Sequence, residues 1–336
     1  MTRREVSAIV IGIALLASAL VIAASIGTVT IPIDVVLGAV LDGGADAGLA
    51  HVVWSVRLPR VAMSALVGAC LGASGAGTQA VFRNPLADPY LLGAGSGAGL
   101  GAILGFELSG ELPADLAAAG AVSPGSIVPL CAFAGGLGAV LLTAMLARAR
   151  SRGSESLILA GVVVGNMLAA ITTFLLLREG ERLRAVITWT LGNLALASWR
   201  QVGELAPYVV VSLAALMLVA RPLDALQLGD DTAETLGVRV VATRRITLAA
   251  ATLATSASIA YVGVIGFVGL VAPHVARRLI SPTHRALVPA SALCGALLLV
   301  LADLGARTIV RPAELPVGIV LTLVGGPFVL LVLRAR

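Results

Sequence analysis

Long uncharged stretches alternate with short charged segments along this chain. Nine stretches contain no Asp, Glu, Lys or Arg, and they cover 6–33, 61–82, 89–106, 116–147, 156–177, 205–220, 246–276, 286–302 and 315–333. A helix needs about 20 apolar residues to span a bilayer, and one charge at its centre costs roughly 2.5–3.5 kcal/mol to insert. The pattern therefore predicts a bundle of transmembrane helices.

The stretch 246–276 is too long for one such helix and too short for two of full length. Gly263, Gly266 and Gly269 lie within it, and glycine weakens the interior of a helix. We therefore predict a break at these glycines, between a long and a short span, which brings the number of spans to ten. A shorter uncharged segment, 185–199, is expected to form a short helix at the membrane interface.

The arginines indicate how the bundle is oriented. Arg3 and Arg4 precede the first stretch, and Arg334 and Arg336 follow the last one. Loops rich in basic residues stay in the cytoplasm, so both termini are predicted to be cytoplasmic. An even number of spans is then required, which agrees with ten. The prediction is an all-α integral membrane protein that forms a single transmembrane domain over 1–336.

Composition excludes several classes of protein. Charged residues make up 12% of the chain and hydrophobic residues 58%, whereas soluble proteins are about a quarter charged. The net charge of +5 reflects membrane topology here, and no nucleic-acid partner is expected. The chain contains no lysine, so it lacks the lysine that a Walker A loop needs to bind nucleotide phosphates. The three cysteines lack disulfide or metal spacing, and neither a metal site nor a bound cofactor is predicted.

Glycines recur at four-residue spacing in the third stretch, at Gly93, Gly97, Gly101 and Gly105. This spacing places them on one face of a helix. Small residues allow helices in lipid to approach closely, and they are enriched where such helices meet. We interpret this face as a helix-packing surface rather than a ligand site.

The connection after the second stretch has the sequence Arg-Asn-Pro-Leu-Ala-Asp-Pro over 83–89. Two prolines with Asn and Asp between them cannot form a continuous helix. Polar non-helical backbone at the membrane edge is tolerated where protein or a water-filled cavity covers it. The segment is either a plain cytoplasmic turn or a constriction that lines a path.

A longer cytoplasmic loop, about 222–241, is predicted to contain a short helix outside the membrane. Asp230 or Asp231 would cap its N-terminus, Glu234 lies at capping-box distance from Asp231, and Gly237 would end it.

This short helix has an apolar face, formed by Leu228, Ala233, Leu236 and Val238. An exposed apolar face of this kind requires a covering surface. The face either contacts a partner protein or rests on the chain's own bundle.

Arginines also cluster at the opposite side of the membrane. Arg57 and Arg60 open the second span, and Arg307 closes the ninth. Two arginines three residues apart can form a rigid cluster suited to carboxylates, although ordinary anchoring at the interface explains the spacing equally well.

These segments, in this order, resemble the FecCD family of permeases from ATP-binding-cassette (ABC) importers, which serve iron–siderophore, haem and cobalamin uptake. The matching segments are 57–60, 72–101, 157–165, 189–193, 228–238, 263–277 and 313–318. Together they extend over nearly the whole chain.

The resemblance implies a type II importer permease with ten helices that works as a homodimer in the cell membrane, with its path along the dimer axis. Two cytoplasmic ABC ATPase subunits, which use ATP and Mg, would drive it, and an extracytoplasmic binding protein would deliver a large metal chelate. The permease itself would not be catalytic. An iron–siderophore is the expected cargo, with haem or cobalamin as alternatives.

The resemblance also implies roles for individual residues. Arg57, Arg60 and Arg307 would meet acidic residues of the binding protein. The residues expected to couple to the ATPase are Leu226, Leu228, Gly229, Asp231, Ala233, Leu236 and Gly237. The residues expected at the cytoplasmic gate are Asn84, Leu86, Ser154 and Glu155. Glu155 departs from the small hydroxyl residue expected at its position.

Two other classes of function fit the sequence less well. An ion-coupled secondary transporter usually buries ionisable groups near the bilayer midplane, and the uncharged stretches contain none in their central portions. A membrane-embedded enzyme would need a catalytic constellation, and the sequence shows no metal-ligand cluster and no paired carboxylates within a span.

Overall fold

The computed structural model describes residues 3–27, 29–41, 48–110, 124–148, 154–178, 183–280 and 283–334. These residues form fifteen α-helices and no strand. The helices are α1 (Arg3–Ser25), α2 (Ile33–Leu41), α3 (Leu49–Val52), α4 (Leu58–Phe82), α5 (Ala94–Gly110), α6 (Pro124–Arg148), α7 (Ser154–Arg178), α8 (Leu183–Thr190), α9 (Trp199–Leu218), α10 (Ala220–Leu226), α11 (Asp230–Thr235), α12 (Val240–Val262), α13 (Val268–Leu279), α14 (His284–Thr308) and α15 (Val317–Arg334). A π-helical turn, Val53–Arg57, joins α3 to α4, and a 3₁₀ turn, Pro89–Leu92, precedes α5.

Seven helical segments of the described residues are long and apolar enough to cross a membrane. They are α1, the continuous α3–α4 segment, α6, α7, α9, α12 and α14. Helix α15 is apolar but shorter, and α5 and α13 contain 17 and 12 residues. A helix therefore occupies each of the ten predicted positions. The number of crossings and the side of each terminus remain predictions.

The predicted break in the stretch 246–276 is confirmed, because α12 ends at Val262 and α13 begins at Val268. The extent predicted for the short helix over 185–199 is wrong, because α8 ends at Thr190. Gly192 has a φ of +77°, and the N–H of Asn193 donates to the carbonyl of Val262 rather than to its own helix. The segment after Thr190 therefore bonds to the last residue of α12 instead of continuing its own helix.

Helix α4 is the most enclosed element of the bundle, and it packs against α9, α12, α13 and α14. The absence of a side chain at Gly75 allows the close approach to α13, because a Cβ there would lie 1.7 Å from the carbonyl oxygen of Gly269. Small residues thus allow α4 to contact the backbone of a neighbouring helix, as expected for association in lipid.

The small-residue face predicted for α5 is also confirmed. A Cβ at Gly97 would lie 2.3 Å from the carbonyl oxygen of Gly135, and a Cβ at Gly101 would lie 2.1 Å from that of Cys131. Gly99, between them, faces open space. Gly97, Gly101 and Gly105 therefore form the contact between α5 and α6. The prediction is wrong for Gly93, which ends the 3₁₀ turn before α5 with a φ of +83°, and a Cβ there would meet Gly161 and Gly165 of α7 instead.

Candidate functional site

The short helix predicted in the loop 222–241 exists as α11, and its end was predicted correctly. Gly237 has a φ of +81°, its N–H donates to the carbonyl of Glu234, and the N–H of Val238 donates to that of Ala233, each at 2.9 Å. These two bonds form the motif in which a left-handed glycine ends a helix.

The start of α11 differs from the prediction. The N-cap is Gly229, with a φ of +114° and no side-chain capping bond, so neither the aspartate cap nor the capping box of Asp231 and Glu234 forms. The physical reason is a competing interaction. The carboxylate of Asp230 binds two arginines from other parts of the chain, Arg83 and Arg244, instead of the N–H groups of its own helix.

The apolar residues predicted for ATPase coupling separate into two groups. Leu228 and Leu236 are 65% and 62% exposed. Ala233 and Leu226 are buried in a cluster with the ends of α4, α10 and α12. Helix α11 therefore rests on its own bundle through Ala233 and presents Leu228 and Leu236 to the surroundings.

The connection over 83–89 is non-helical, as predicted. Arg83 ends α4 in the left-handed conformation, with a φ of 48°. The side chain of Asn84 accepts a hydrogen bond from the N–H of Leu86 at 2.9 Å, and its carbonyl accepts one from Ala87 at 3.0 Å. Asp88 then caps the 3₁₀ turn by accepting from the N–H of Tyr90 at 2.8 Å. The connection is thus a compact folded turn.

Two of the predicted gate residues lie in this turn, where Asn84 is exposed and Leu86 is half-buried. Burial raises the pKa of the Asp88 carboxyl at the end of the turn to about 6, although the bond from Tyr90 opposes the shift. Ser154 and Glu155 begin α7, but their side chains lie outside the described residues.

Helix α7 nevertheless packs against the 3₁₀ turn that follows the connection over 83–89, which we call the gate connection. A Cβ at Gly161 would lie 2.1 Å from the carbonyl oxygen of Leu91, in the 3₁₀ turn that follows Asp88. The helix that begins with Ser154 and Glu155 therefore packs directly on the segment that follows Asn84 and Leu86. Asn84 and Leu86 thus precede the 3₁₀ turn against which α7 packs, and Ser154 and Glu155 begin that helix.

The coupling and gate segments, predicted separately, are in direct contact. The Arg83 Nε donates to the carbonyl of Leu226 at 2.8 Å, and its guanidinium also binds the carboxylate of Asp230. The side-chain amide of Gln227 donates to the carbonyl of Ala80 at 3.0 Å, near the end of α4. This contact could not be predicted from a local pattern, because the partners are more than 140 positions apart.

The three arginines predicted to dock a binding protein are buried within the chain. Arg60 donates to Asp303 at 2.9 Å and to Glu314 at 2.8 Å. Arg307 pairs with the same Asp303 at 3.1 Å, and its Nη2 donates to the carbonyl of Ala23 at 3.0 Å.

Arg57 is held by backbone carbonyls instead of a carboxylate. It donates to the carbonyls of Ala24 at 2.8 Å and Ser25 at 2.7 Å, the last two residues of α1, and also to that of Val29. The predicted cluster of guanidinium groups and carboxylates therefore exists, but its carboxylates belong to the same chain. Docking through these arginines remains a prediction, and it would require them to leave their present partners.

A further contact, between His284 and Asp224, was not predictable from the sequence. The buried ring of His284, at the start of α14, lies with its Nδ1 2.6 Å from Oδ1 of Asp224 in α10. The backbone N–H of His284 donates to the same oxygen at 2.8 Å. This contact attaches the helix that precedes α11 to the core of the bundle.

The chain is similar to characterised transport permeases over most of its length. The cobalamin import system permease protein BtuC of Halobacterium salinarum is 38% identical over 290 residues, which cover 85% of this chain and 74% of that protein. The Fe(3+) dicitrate transport system permease protein FecD of Escherichia coli is 37% identical over 292 residues, which cover 85% and 86%. The hemin transport system permease protein HmuU of Yersinia pestis is 35% identical over 296 residues, which cover 85% and 84%.

A solved inward-facing structure assigned to the metal-chelate type of ABC transporter superposes with a TM-score of 0.83 at 25% identity, covering 98% of this chain and 99% of that one. This likeness confirms the predicted all-α membrane architecture of a type II importer permease. A model of the FecCD transport family matches residues 14–335. From that match and the shared architecture, we conclude that this membrane-integral chain belongs to the FecCD transport family.

Proposed function

We propose that this chain is the permease of an ATP-driven importer in the cell membrane that brings a large metal chelate into the cytoplasm. Two copies would form the path between them, two cytoplasmic ABC ATPases would supply energy from ATP and Mg, and an extracytoplasmic binding protein would deliver the cargo. An iron–siderophore is the proposed cargo. Haem and cobalamin are the alternatives, since relatives named for each of the three kinds of cargo are 35–38% identical to this chain.

The observation that supports this proposal is a pair of exposed leucines, one on each side of α11. Leu228 and Leu236 flank a short helix whose other apolar residue, Ala233, is buried. An exposed apolar pair on a helix that is anchored to the bundle fits a contact with a separate protein. The same helix contacts the gate connection through Arg83, so a force applied to it has a direct route into the bundle.

The buried Asp303 fits this function better than ion-coupled transport. Asp303 is 2% exposed and is shared between Arg60 and Arg307. Both guanidinium groups already bind this carboxylate, at 2.9 Å for Arg60 and 3.1 Å for Arg307, so it is fully engaged in ion pairs within the chain. Asp303 is therefore not a free acidic group of the kind that ion-coupled transporters use.

The test is reconstitution in vesicles with the ATPase and the binding protein encoded beside this chain. The cargo is named first, by measuring which of ferric citrate, ferric enterobactin, haem and cobalamin raises the melting temperature of the binding protein. Radiolabelled cargo is then offered with ATP enclosed on the ATPase side. Uptake should require ATP, the ATPase and the binding protein together. Uptake that continues when any one of them is left out would refute the proposal.

A further inference from the structure

The end of α4 and the start of α11 are joined by a small ionic cluster. Its members are Arg83, which ends α4, Asp230, the first residue of α11, and Arg244, in the second turn of α12. The Asp230 Oδ1 accepts from Arg244 at 2.8 Å and from Arg83 as well. One carboxylate thus connects three helices at the cytoplasmic edge.

Arg83 is fixed at both of its ends. Its backbone adopts the left-handed conformation, which non-glycine residues rarely occupy, and its N–H donates to the carbonyl of Ala80 at 3.3 Å. Its guanidinium bridges the Asp230 carboxylate and the carbonyl of Leu226, which flank the turn between α10 and α11. A single side chain therefore binds both sides of the turn that leads into α11.

The residues that follow Arg83 form a hydrogen-bonded turn that is attached to α4. The N–H of Asn84 donates to the carbonyl of Gln79 at 3.1 Å, which holds the turn against α4. Leu86 and Ala87 each donate to Asn84, so the turn is closed on itself. A displacement of Arg83 consequently displaces Asn84 and Leu86, with no flexible segment between them.

The cluster contributes little to holding the fold together. The side chains of Arg83 and Asp230 are 38% and 39% exposed, and ion pairs with this exposure add little to the free energy of folding. Their positions, by contrast, connect the helix that carries the exposed leucines to the predicted gate. We infer that Arg83, Asp230 and Arg244 are positioning residues that transmit movement of α11 to the gate connection. This inference rests on the function proposed above.

The test measures cargo imported per ATP hydrolysed in reconstituted vesicles, for Arg83→Gln, Asp230→Asn and the double variant. Each single variant should lower this ratio at least about fivefold, the low end of the range for coupling between two sites. The double variant should be no worse than the singles, because both changes break the same contact. ATP hydrolysis and the melting temperature should stay close to wild type, which a merely structural role would not predict.

Arg245→Gln is the matched control, since Arg245 is the exposed neighbour of Arg244 on α12. It removes the same charge without touching Asp230, and its ratio should equal that of wild type. Arg244→Gln should lower the ratio. The inference is overturned if Arg83→Gln and Asp230→Asn import normally, if their effects add in the double variant, or if Arg245→Gln is equally impaired. A wild-type chain with no ATP-dependent uptake would instead refute the proposed function, and the inference with it.

Discussion

Replacement of Gly101 by alanine should push α5 away from α6 and destabilise the bundle. The new Cβ would lie 2.1 Å from the carbonyl oxygen of Cys131, whereas ordinary contact begins at 3.4 Å. The obstructing atom belongs to the backbone of a helix, so it cannot rotate aside, and the helices must separate by about 1.3 Å at this point. Overpacking of this kind costs roughly 1–3 kcal/mol.

Gly99 provides the matched control, because a Cβ there meets no atom within 4 Å. Gly99→Ala should leave stability unchanged or raise it, since alanine favours a helix over glycine by about 0.8–1.0 kcal/mol. The assay is thermal unfolding in detergent, followed with a thiol-reactive fluorophore that reports exposure of the buried Cys70. Gly101→Ala should unfold at a lower temperature than both wild type and Gly99→Ala. Equal midpoints for the two variants would refute the packing argument.

Three further predictions concern the functional elements. Leu228→Glu and Leu236→Glu should each cut ATP-dependent uptake roughly tenfold or more, because loss of a central residue of an interface costs at least about 2 kcal/mol. Unchanged uptake would show that the ATPase does not contact these leucines. Asp303→Asn should lower the stability measured by thermal unfolding by roughly 3–5 kcal/mol, because it leaves two buried guanidinium groups without their shared charge. The Asp88→Asn variant should become more stable relative to wild type as the pH rises from about 4 towards 6. Wild type loses stability over this range because folding raises the pKa of Asp88 to about 6, whereas asparagine does not titrate. The stability that the variant gains over wild type should vanish near pH 4. Melting temperatures that differ by a constant amount across this pH range would contradict the burial of the Asp88 carboxyl.

Local features were predictable from the sequence because their causes lie within a few residues. The break at Gly263 follows from the weakness of glycine in a helix, and the end of α11 follows from the left-handed conformation that Gly237 adopts. The face formed by Gly97 and Gly101 follows from helical geometry alone. None of these predictions required knowledge of what lies elsewhere in the chain.

The partners of long charged side chains were not predictable in this way. Asp230 was expected to cap its own helix, but Arg83, 147 positions away, competes for the same carboxylate. Arg60 was expected to meet acidic residues of a binding protein, which remains a prediction, and the sequence did not indicate its internal partner Asp303, 243 positions away. A guanidinium group matches the geometry of any carboxylate, internal or external, so only the tertiary structure decides which one it binds.

The energy source for uptake tests the central claim most directly. Vesicles that contain this chain with its ATPase and binding protein are given either ATP with all ion gradients collapsed by ionophores, or an ion gradient without ATP, and the accumulation of the identified cargo is measured. The account predicts accumulation against a concentration gradient with ATP alone, and none with the gradient alone. Accumulation driven by the ion gradient without ATP would contradict it.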